Sequence, residues 1–216
     1  MTNEIIHQYF AEMNTDKIIR KSYFSNLDIG IMVEVGGATP EYISMSRHFK
    51  LNNWRCIIEP NPKFVEQHKN IGNEVYQCVC SNEDIDNADF EIASAHPNAS
   101  NGILDDHSFS AIKVKDEYRN TAPGLNIPIT TIKVNIRKLN TILDGLLINA
   151  IDLLSIDVEG WELEVMQGFD TNKFKPKVII LENYLYKDSY VSYMKNIGYR
   201  VDKMIDYNYI FVKEIQ

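Results

Sequence analysis

Residues 151–170 read IDLLSIDVEGWELEVMQGFD: an apolar run that stops at Asp157, crosses Val158-Glu159-Gly160 and turns helix-compatible from Trp161. A carboxylate closing a buried strand is costly to desolvate unless it meets a partner. In open α/β sheets, the carboxyl ends of parallel strands border the crevice in which ligands bind. This stretch therefore constrains the chain to an α/β sheet with a polar site at its strand ends, and it makes Asp157 a ligand-facing group rather than a structural one.

Two further strand ends repeat the pattern. Val33-Glu34-Val35-Gly36-Gly37 closes one apolar run and Cys56-Ile57-Ile58-Glu59-Pro60 closes the next. Around them, strands at 31–35, 55–59 and 74–79 alternate with helices at 40–50 and 62–71, as parallel βαβ units require. Pro40 and Pro62 suit first helical turns, where a missing N–H removes no intrahelical bond. Ile5, Ile6, Tyr9, Phe10 and Met13 recur at helical spacing, so residues 1–27 are expected to begin with an amphipathic helix that packs on the body or serves as a lid or dimer contact. From 81 to 136 the pattern loosens, with Pro97, Pro123 and Pro128 and strands at 90–95 and 129–136. This reads as an inserted hairpin with loops covering the substrate side. Order returns with a helix at 139–145, a strand at 151–157, a helix at 161–168, a strand at 177–182 and a helix at 190–197. The strands at 199–205 and 209–213 turn around Asp206-Tyr207-Asn208 as an antiparallel hairpin.

The totals narrow the function classes. A chain of 216 residues fits one domain, burying roughly 70–75% of its unfolded surface without needing a disulfide or metal. A formal charge of −8 argues against a broad grip on nucleic acid and favours a small or weakly charged substrate. Cys56, Cys78 and Cys80 lie in strand-like runs without a CxxC or Cys/His cluster and read as reduced core residues. The first ten residues lack the basic and apolar segments of a signal peptide, and the most apolar stretch, 143–156, is interrupted by Asp144, Asn149 and Asp152. The expected location is cytoplasmic, with no transmembrane segment.

Each motif carries two readings. Gly36 and Gly37, followed by Ala38, let a ligand approach the backbone or simply make a tight turn; a G-x-G-x-x-G fingerprint is absent. Glu34, placed before those glycines, suits an adenosyl-methionine amino group better than a pyrophosphate. Glu59 stands near the spacing at which a carboxylate accepts from both ribose hydroxyls, or else is an exposed acid stabilised by the helix dipole. Together the acid-ended strands suggest an S-adenosylmethionine site. Glu182-Asn183-Tyr184 ends the strand expected beside Asp157, so Asp157 and Glu182 could share a proton or hold a divalent cation such as magnesium. Glu162 favours a helix start, while Glu159 lies in a loop that could face substrate. His96, Asn98, Asn101 and His107 sit in the insertion, His96 being the better candidate base of the two histidines. Lys113, Lys115, Lys133, Arg137 and Lys138 could meet a substrate phosphate or form a solvated strand face.

In order, these residues resemble the FkbM family of S-adenosylmethionine-dependent methyltransferases, whose strand-ending IDVEG is matched at residues 156–160, the likeness running from about 33 to 213. The resemblance implies a Rossmann-like class I fold, with a mostly parallel twisted sheet, helices on both faces and a C-terminal antiparallel hairpin. It implies O-methylation of a sugar hydroxyl on a nucleotide sugar, polysaccharide or glycosylated metabolite. Carried over, it assigns Glu34, Gly36 and Gly37 to the methionine end of the cofactor, Glu59 to the ribose, the Cys80-Ser81 region to the adenine, and Asp157 to the neighbourhood of the methyl, with Ala38 and Pro60 as further cofactor contacts. Asp157, His96 and Glu182 become the catalytic candidates; Glu159, Asn183, Tyr184, Asn101 and His107 become substrate contacts. Pro40 departs from the family, which commonly has glycine there. A homodimer is compatible. The rival readings are a nucleotide-dependent oxidoreductase and a non-catalytic binding protein on the same fold.

Overall fold

The structure is a computed structural model and describes residues 6–27, 29–93, 110–119 and 128–214. In chain order its first half contains α1 (Thr15–Tyr23), β1 (Ile31–Val35), α2 (Arg47–Leu51), β2 (Arg55–Ile58), α3 (Pro62–Asn70), β3 (Val75–Tyr76), β4 (Val79–Ser81) and β5 (Ile85–Ala93). The second half adds α4 (Asp116–Arg119), β6 (Ile129–Lys138), α5 (Leu139–Gly145), β7 (Leu153–Ile156), α6 (Glu162–Gln167), α7 (Thr171–Phe174), β8 (Val178–Glu182), α8 (Asp188–Asn196), β9 (Tyr199–Ile205) and β10 (Asn208–Lys213).

Seven strands form one sheet in the order β3-β2-β1-β7-β8-β10-β9. The first five run parallel, and β10 pairs antiparallel with both β8 and β9. The direction of winding reverses between β1 and β7, so the crevice at their carboxyl ends is where this architecture opens a ligand site. Every residue of β7 and β8 is buried, the mark of strands covered on both faces. Alternation sends Val33, Leu154, Ile179 and Phe211 into one core with α5, α6, α7 and α8, and Met32, Leu153, Val178 and Ile210 into a second core with Ile19, Phe49 and Trp54. A sheet with helices on both faces follows. Among the described residues, no helix is long and apolar enough to cross a membrane.

Three local expectations give way to tertiary contacts. Residues 6–10 are not helical. A short 3-10 turn, Glu12–Asn14, contains Met13 and Asn14 in left-handed conformation, and α1 starts only at Thr15. Side chains of neighbouring elements hold the segment open: Asn52 bonds Ile6 through both its amide atoms (2.9 and 3.2 Å), His48 Nδ1 meets the Gln8 carbonyl at 2.7 Å, and Asp16 accepts from the Phe10 amide at 2.7 Å. The helix expected over 40–50 shrinks to Arg47–Leu51, so Pro40 opens no helix. Ser44 Oγ accepts from the Arg47 amide, and such hydroxyls compete with helical bonding. The strand expected over 74–79 divides: β3 stays in the large sheet, whereas β4 pairs parallel with β6 in a second sheet, order β4-β6-β5. The insertion is thus anchored to the body through Val79–Ser81. Of helix α7, absent from the sequence expectation, the signal was local: Asp170 accepts from the amides of Asn172 and Lys173, as an N-cap does.

Candidate active site

The ends of β1, β2, β4 and β7, the N-terminal strap and the β9–β10 turn enclose a cleft with a cavity volume of about 180 Å³. Gly36 has φ +84°, and a Cβ there would lie 1.8 Å from the Asp157 carbonyl oxygen. The glycine is therefore demanded by the close passage of the two strand ends, while its neighbours face the cleft. Its amide and that of Gly37 both reach the Ile58 carbonyl, at 3.0 and 3.3 Å, tying the turn to β2.

Glu34 is 5% exposed, and its Oε2 has no hydrogen-bond partner although the residue lines the cleft. Burial pushes its carboxyl up to about 8; bonds from Ser46 oppose the shift, and Asp157 and Glu59 reinforce it. Glu59 is also buried but is held differently, with Oε2 accepting from the Ala38 amide and Oε1 from the Asn61 amide, each at 2.8 Å. Burial raises it to about 7 against those two bonds. Each oxygen keeps a lone pair, as a vicinal diol would need. The loop bearing Ala38 is itself clamped. Asn73 Nδ2 donates to His68 Nδ1 at 3.0 Å, which leaves the proton on Nε2 to meet the Ala38 carbonyl at 3.0 Å. Burial keeps His68 neutral by lowering its pKa.

Across the crevice the acids cluster. Oxygens of Asp157, Glu162 and Glu182 all lie within 4.8 Å of one another. Asp157 opens onto the cleft, while Glu162 and Glu182 are buried behind it. Desolvation by the surrounding protein raises all three; the Glu162 charge raises Asp157 further while a hydrogen bond from Glu182 opposes that, and Asp157, Glu159 and Glu162 together push Glu182 up, so Glu182 is the one that holds its proton more tightly. Glu162 is committed to architecture. Its Oε1 accepts from the Val158 and Gly160 amides at 3.0 Å each, and its Oε2 accepts from the Tyr190 hydroxyl, so it shapes the loop that carries Glu159. That loop is further fixed by Lys115, which donates to the Gly160 carbonyl and stands 4.5 Å from the Trp161 ring centre.

Ala38, Pro60, Cys80 and Glu159, all expected at the site, line the cleft. Ser81 is not among the residues lining the cleft; its hydroxyl donates to Asn82 Oδ1 at 3.4 Å, and its carbonyl lies where a Cβ on Gly168 would reach it at 2.2 Å. Asn183 is 1% exposed and closes the following turn by bonding both backbone groups of Lys187. Tyr184 packs its ring on Tyr118 and Tyr207. His96, Asn98, Asn101 and His107 lie outside the described residues. The expected basic group does not gather at the cleft: Lys133 pairs with Asp89, Arg137 with Asp86, and Lys115 with Glu164. Glu12, Trp161 and Tyr207 line the cleft without having been singled out. Only Trp161, directly after the IDVEG run, carried a positional hint.

A parallel sheet ended by an antiparallel hairpin, with a glycine turn and acids massed at its carboxyl edge, is the Rossmann-like arrangement of class I methyltransferases. Residues 34–201 match the family model described as the methyltransferase FkbM domain, and the chain belongs to that family. None of the curated protein sequences matches it significantly. Among solved structures, the precorrin-6y C5,15-methyltransferase from Geobacter metallireducens aligns over 98% of this chain and 90% of its own length, with 15% identity and a TM-score of 0.44.

Proposed function

We propose that the protein is an S-adenosylmethionine-dependent O-methyltransferase acting on a sugar hydroxyl. The single observation that carries the reading is the pair of buried acids at the ends of adjacent strands. Glu34 keeps an unpartnered oxygen at the cleft, which fits an ammonium, and Glu59 presents two backbone-anchored oxygens, which fit a ribose diol. An amino-acid nucleoside offers both groups at once.

Held by Glu34 and Glu59, the cofactor would supply a methyl group already activated for transfer to the acceptor oxygen. What remains for the protein is alignment, exclusion of water and removal of the hydroxyl proton. Asp157 is the group for the proton: it opens onto the cleft, and its raised pKa brings it toward a working base. Glu182 behind it keeps a proton and so spares Asp157 a second full negative charge. Trp161, Tyr207 and Glu159 wall the acceptor side. His96 stays a candidate base on the sequence reading alone. A second reading rests on the proximity of Asp157, Glu162 and Glu182, which would let a divalent cation sit there and acidify the hydroxyl. Against it, Glu162 already spends both oxygens on internal bonds.

The test is calorimetry with S-adenosylhomocysteine, followed by transfer of labelled methyl to a panel of sugars with and without a chelator. Saturable binding and chelator-resistant transfer are expected. A well-folded protein that takes up no nucleoside would overturn the reading, and activity abolished by chelation would replace the proton-transfer route with the metal one.

A further inference from the structure

Resting on the function just proposed, the acceptor side of the cleft shows a surface suited to a sugar ring. Trp161 follows the loop 156–160 and lines the cleft with Asp157, yet the groups that fix its indole lie outside the cleft. The indole N–H donates to the Lys113 carbonyl at 3.0 Å, and the Lys115 ammonium stands 4.5 Å from the ring centre. Lys115 is itself tied down, donating to the Gly160 carbonyl and reaching Glu164 at 3.3 Å. The backbone beside the indole is fixed as well, because a Cβ on Gly160, at φ +92°, would lie 2.6 Å from the Tyr118 ring.

Neither Lys113 nor Lys115 lines the cleft, so the cation covers the outer face of the indole and the other face is left for a ligand. The ring has no donor left to offer, since its N–H is spent on Lys113. What it presents is a flat apolar surface carrying the negative quadrupole of an aromatic face. The weakly positive axial C–H groups of a pyranose complement such a surface, while its equatorial hydroxyls point outward in the plane of the ring, toward polar groups at the rim. Because the indole is held in advance, the ligand is spared the cost of ordering it.

We propose that Trp161 is the platform on which the acceptor's pyranose ring stacks, C–H face against the indole and reacting hydroxyl toward Asp157, and that Lys115 positions this platform from behind. The acceptor class is thereby narrowed to cyclic sugars that expose an unbroken set of axial hydrogens. An acyclic polyol carries the same hydroxyls but has no such face.

The experiment uses the full chain saturated with S-adenosylhomocysteine, whose own binding is measured first. Methyl β-glucopyranoside, the acyclic polyol glucitol and the flat arene catechol are then compared by calorimetry, with saturation-transfer NMR to show which ligand protons touch the protein. The glucoside is expected to bind about three- to tenfold more tightly than glucitol, the range of an aromatic face contact, with the strongest transfer to its axial protons. Trp161→Ala should erase that advantage and Trp161→Phe keep most of it, with nucleoside affinity unchanged in both. Lys115→Met should lose part of the advantage and Lys115→Arg restore it; an undiminished advantage in Lys115→Met would remove Lys115 from the positioning role. Intact nucleoside binding with no advantage for the glucoside over glucitol, including no binding of either, overturns this inference and leaves the methyltransferase reading standing. Catechol binding in place of the glucoside overturns it too, because the occupant would then be an arene. A fall in nucleoside affinity in Trp161→Phe would do the same by moving the ring to the cofactor half. Failure of the unaltered protein to bind the nucleoside sinks the underlying reading instead.

Discussion

The two sides of the crevice handle buried acid in opposite ways. At the ends of β1 and β2 the carboxylates stand apart, Glu59 braced by two backbone amides and Glu34 left with one vacant oxygen. At the ends of β7 and β8 and the start of α6 three carboxyl groups crowd within 4.8 Å, so a proton must be shared among them. A lone, braced acid is prepared to receive hydrogen-bond donors without moving, whereas a crowded set has a proton affinity that changes with whatever enters. On the function proposed above, the first side holds the cofactor and the second exchanges protons.

Gly36→Ala should erase the distinction, because it damages both sides. The new Cβ would sit 1.8 Å from the Asp157 carbonyl oxygen on a backbone at φ +84°, so both strand ends must shift. We expect a loss of at least about 3 kcal/mol in urea unfolding, together with loss of nucleoside binding. Gly145→Ala is the control: nothing lies within 4 Å of its Cβ position, and stability should be retained or slightly raised.

Asp157→Asn should split the two sides cleanly. Removing the proposed base is expected to lower turnover by roughly a hundred to ten thousand fold while the dissociation constant for S-adenosylhomocysteine changes little. Equal losses in both measurements would place Asp157 on the holding side. Glu34→Gln is the converse and a smaller effect. Losing a charged hydrogen bond to an ammonium is worth roughly 1.5–3 kcal/mol, or about ten- to a hundredfold in nucleoside affinity, with turnover at saturating cofactor largely kept.

The acids on both sides were legible in the sequence because they stand at strand ends, and the apolar runs before Glu34, Glu59, Asp157 and Glu182 mark those ends directly. Strands β1, β7 and β8 and the closing hairpin fall within a residue or two of their expected positions for the same reason. What could not be read depends on contacts distant in sequence. The strap at 6–10 carries a helical stripe, yet it is held extended by Asn52 and His48 more than thirty positions away. Glu162 looks like an ordinary first-turn acid until Tyr190 is folded against it. Glu12 and Tyr207 meet only because the chain's first segment crosses its last hairpin. Asn183 shows the reverse error: a polar residue at a promising strand end that turns inward to cap its own loop.

The same contrast predicts a pH signature of intermediate size. Glu34 is raised to about 8 and Glu59 to about 7, so the folded protein binds protons there that the unfolded chain, with ordinary carboxylates near 4.3, does not. The stability these groups contribute is present at acid pH and is lost as pH rises through 7 and 8. His68, with its lowered pKa, acts oppositely but only below its ordinary value of about 6.5. Between pH 6.5 and 8.5 the unliganded protein should therefore melt at progressively lower temperature. Nucleoside binding runs the other way, because an ammonium requires Glu34 ionised: affinity should fall by up to about tenfold per unit as pH drops below 8. Glu34→Gln should flatten that slope, and a slope that survives the substitution would move its origin to Glu59.

Tyr207→Phe is the finest probe, because it touches neither acid pair. The Tyr207 hydroxyl donates to Glu12 Oε2, joining the hairpin turn to the strap, and both residues line the cleft. Glu12 is exposed, so water replaces the lost donor and the expected cost is at the low end of a hydrogen bond, about 0.5 kcal/mol. Its effect should fall on one side alone. If strap and turn together wall the acceptor half, KM for the acceptor rises a few fold while nucleoside affinity and turnover at saturation stay constant. Should nucleoside affinity change instead, the strap would belong to the cofactor half, and the boundary between holding and exchanging sides would lie nearer β8 than the ends of β1 and β7.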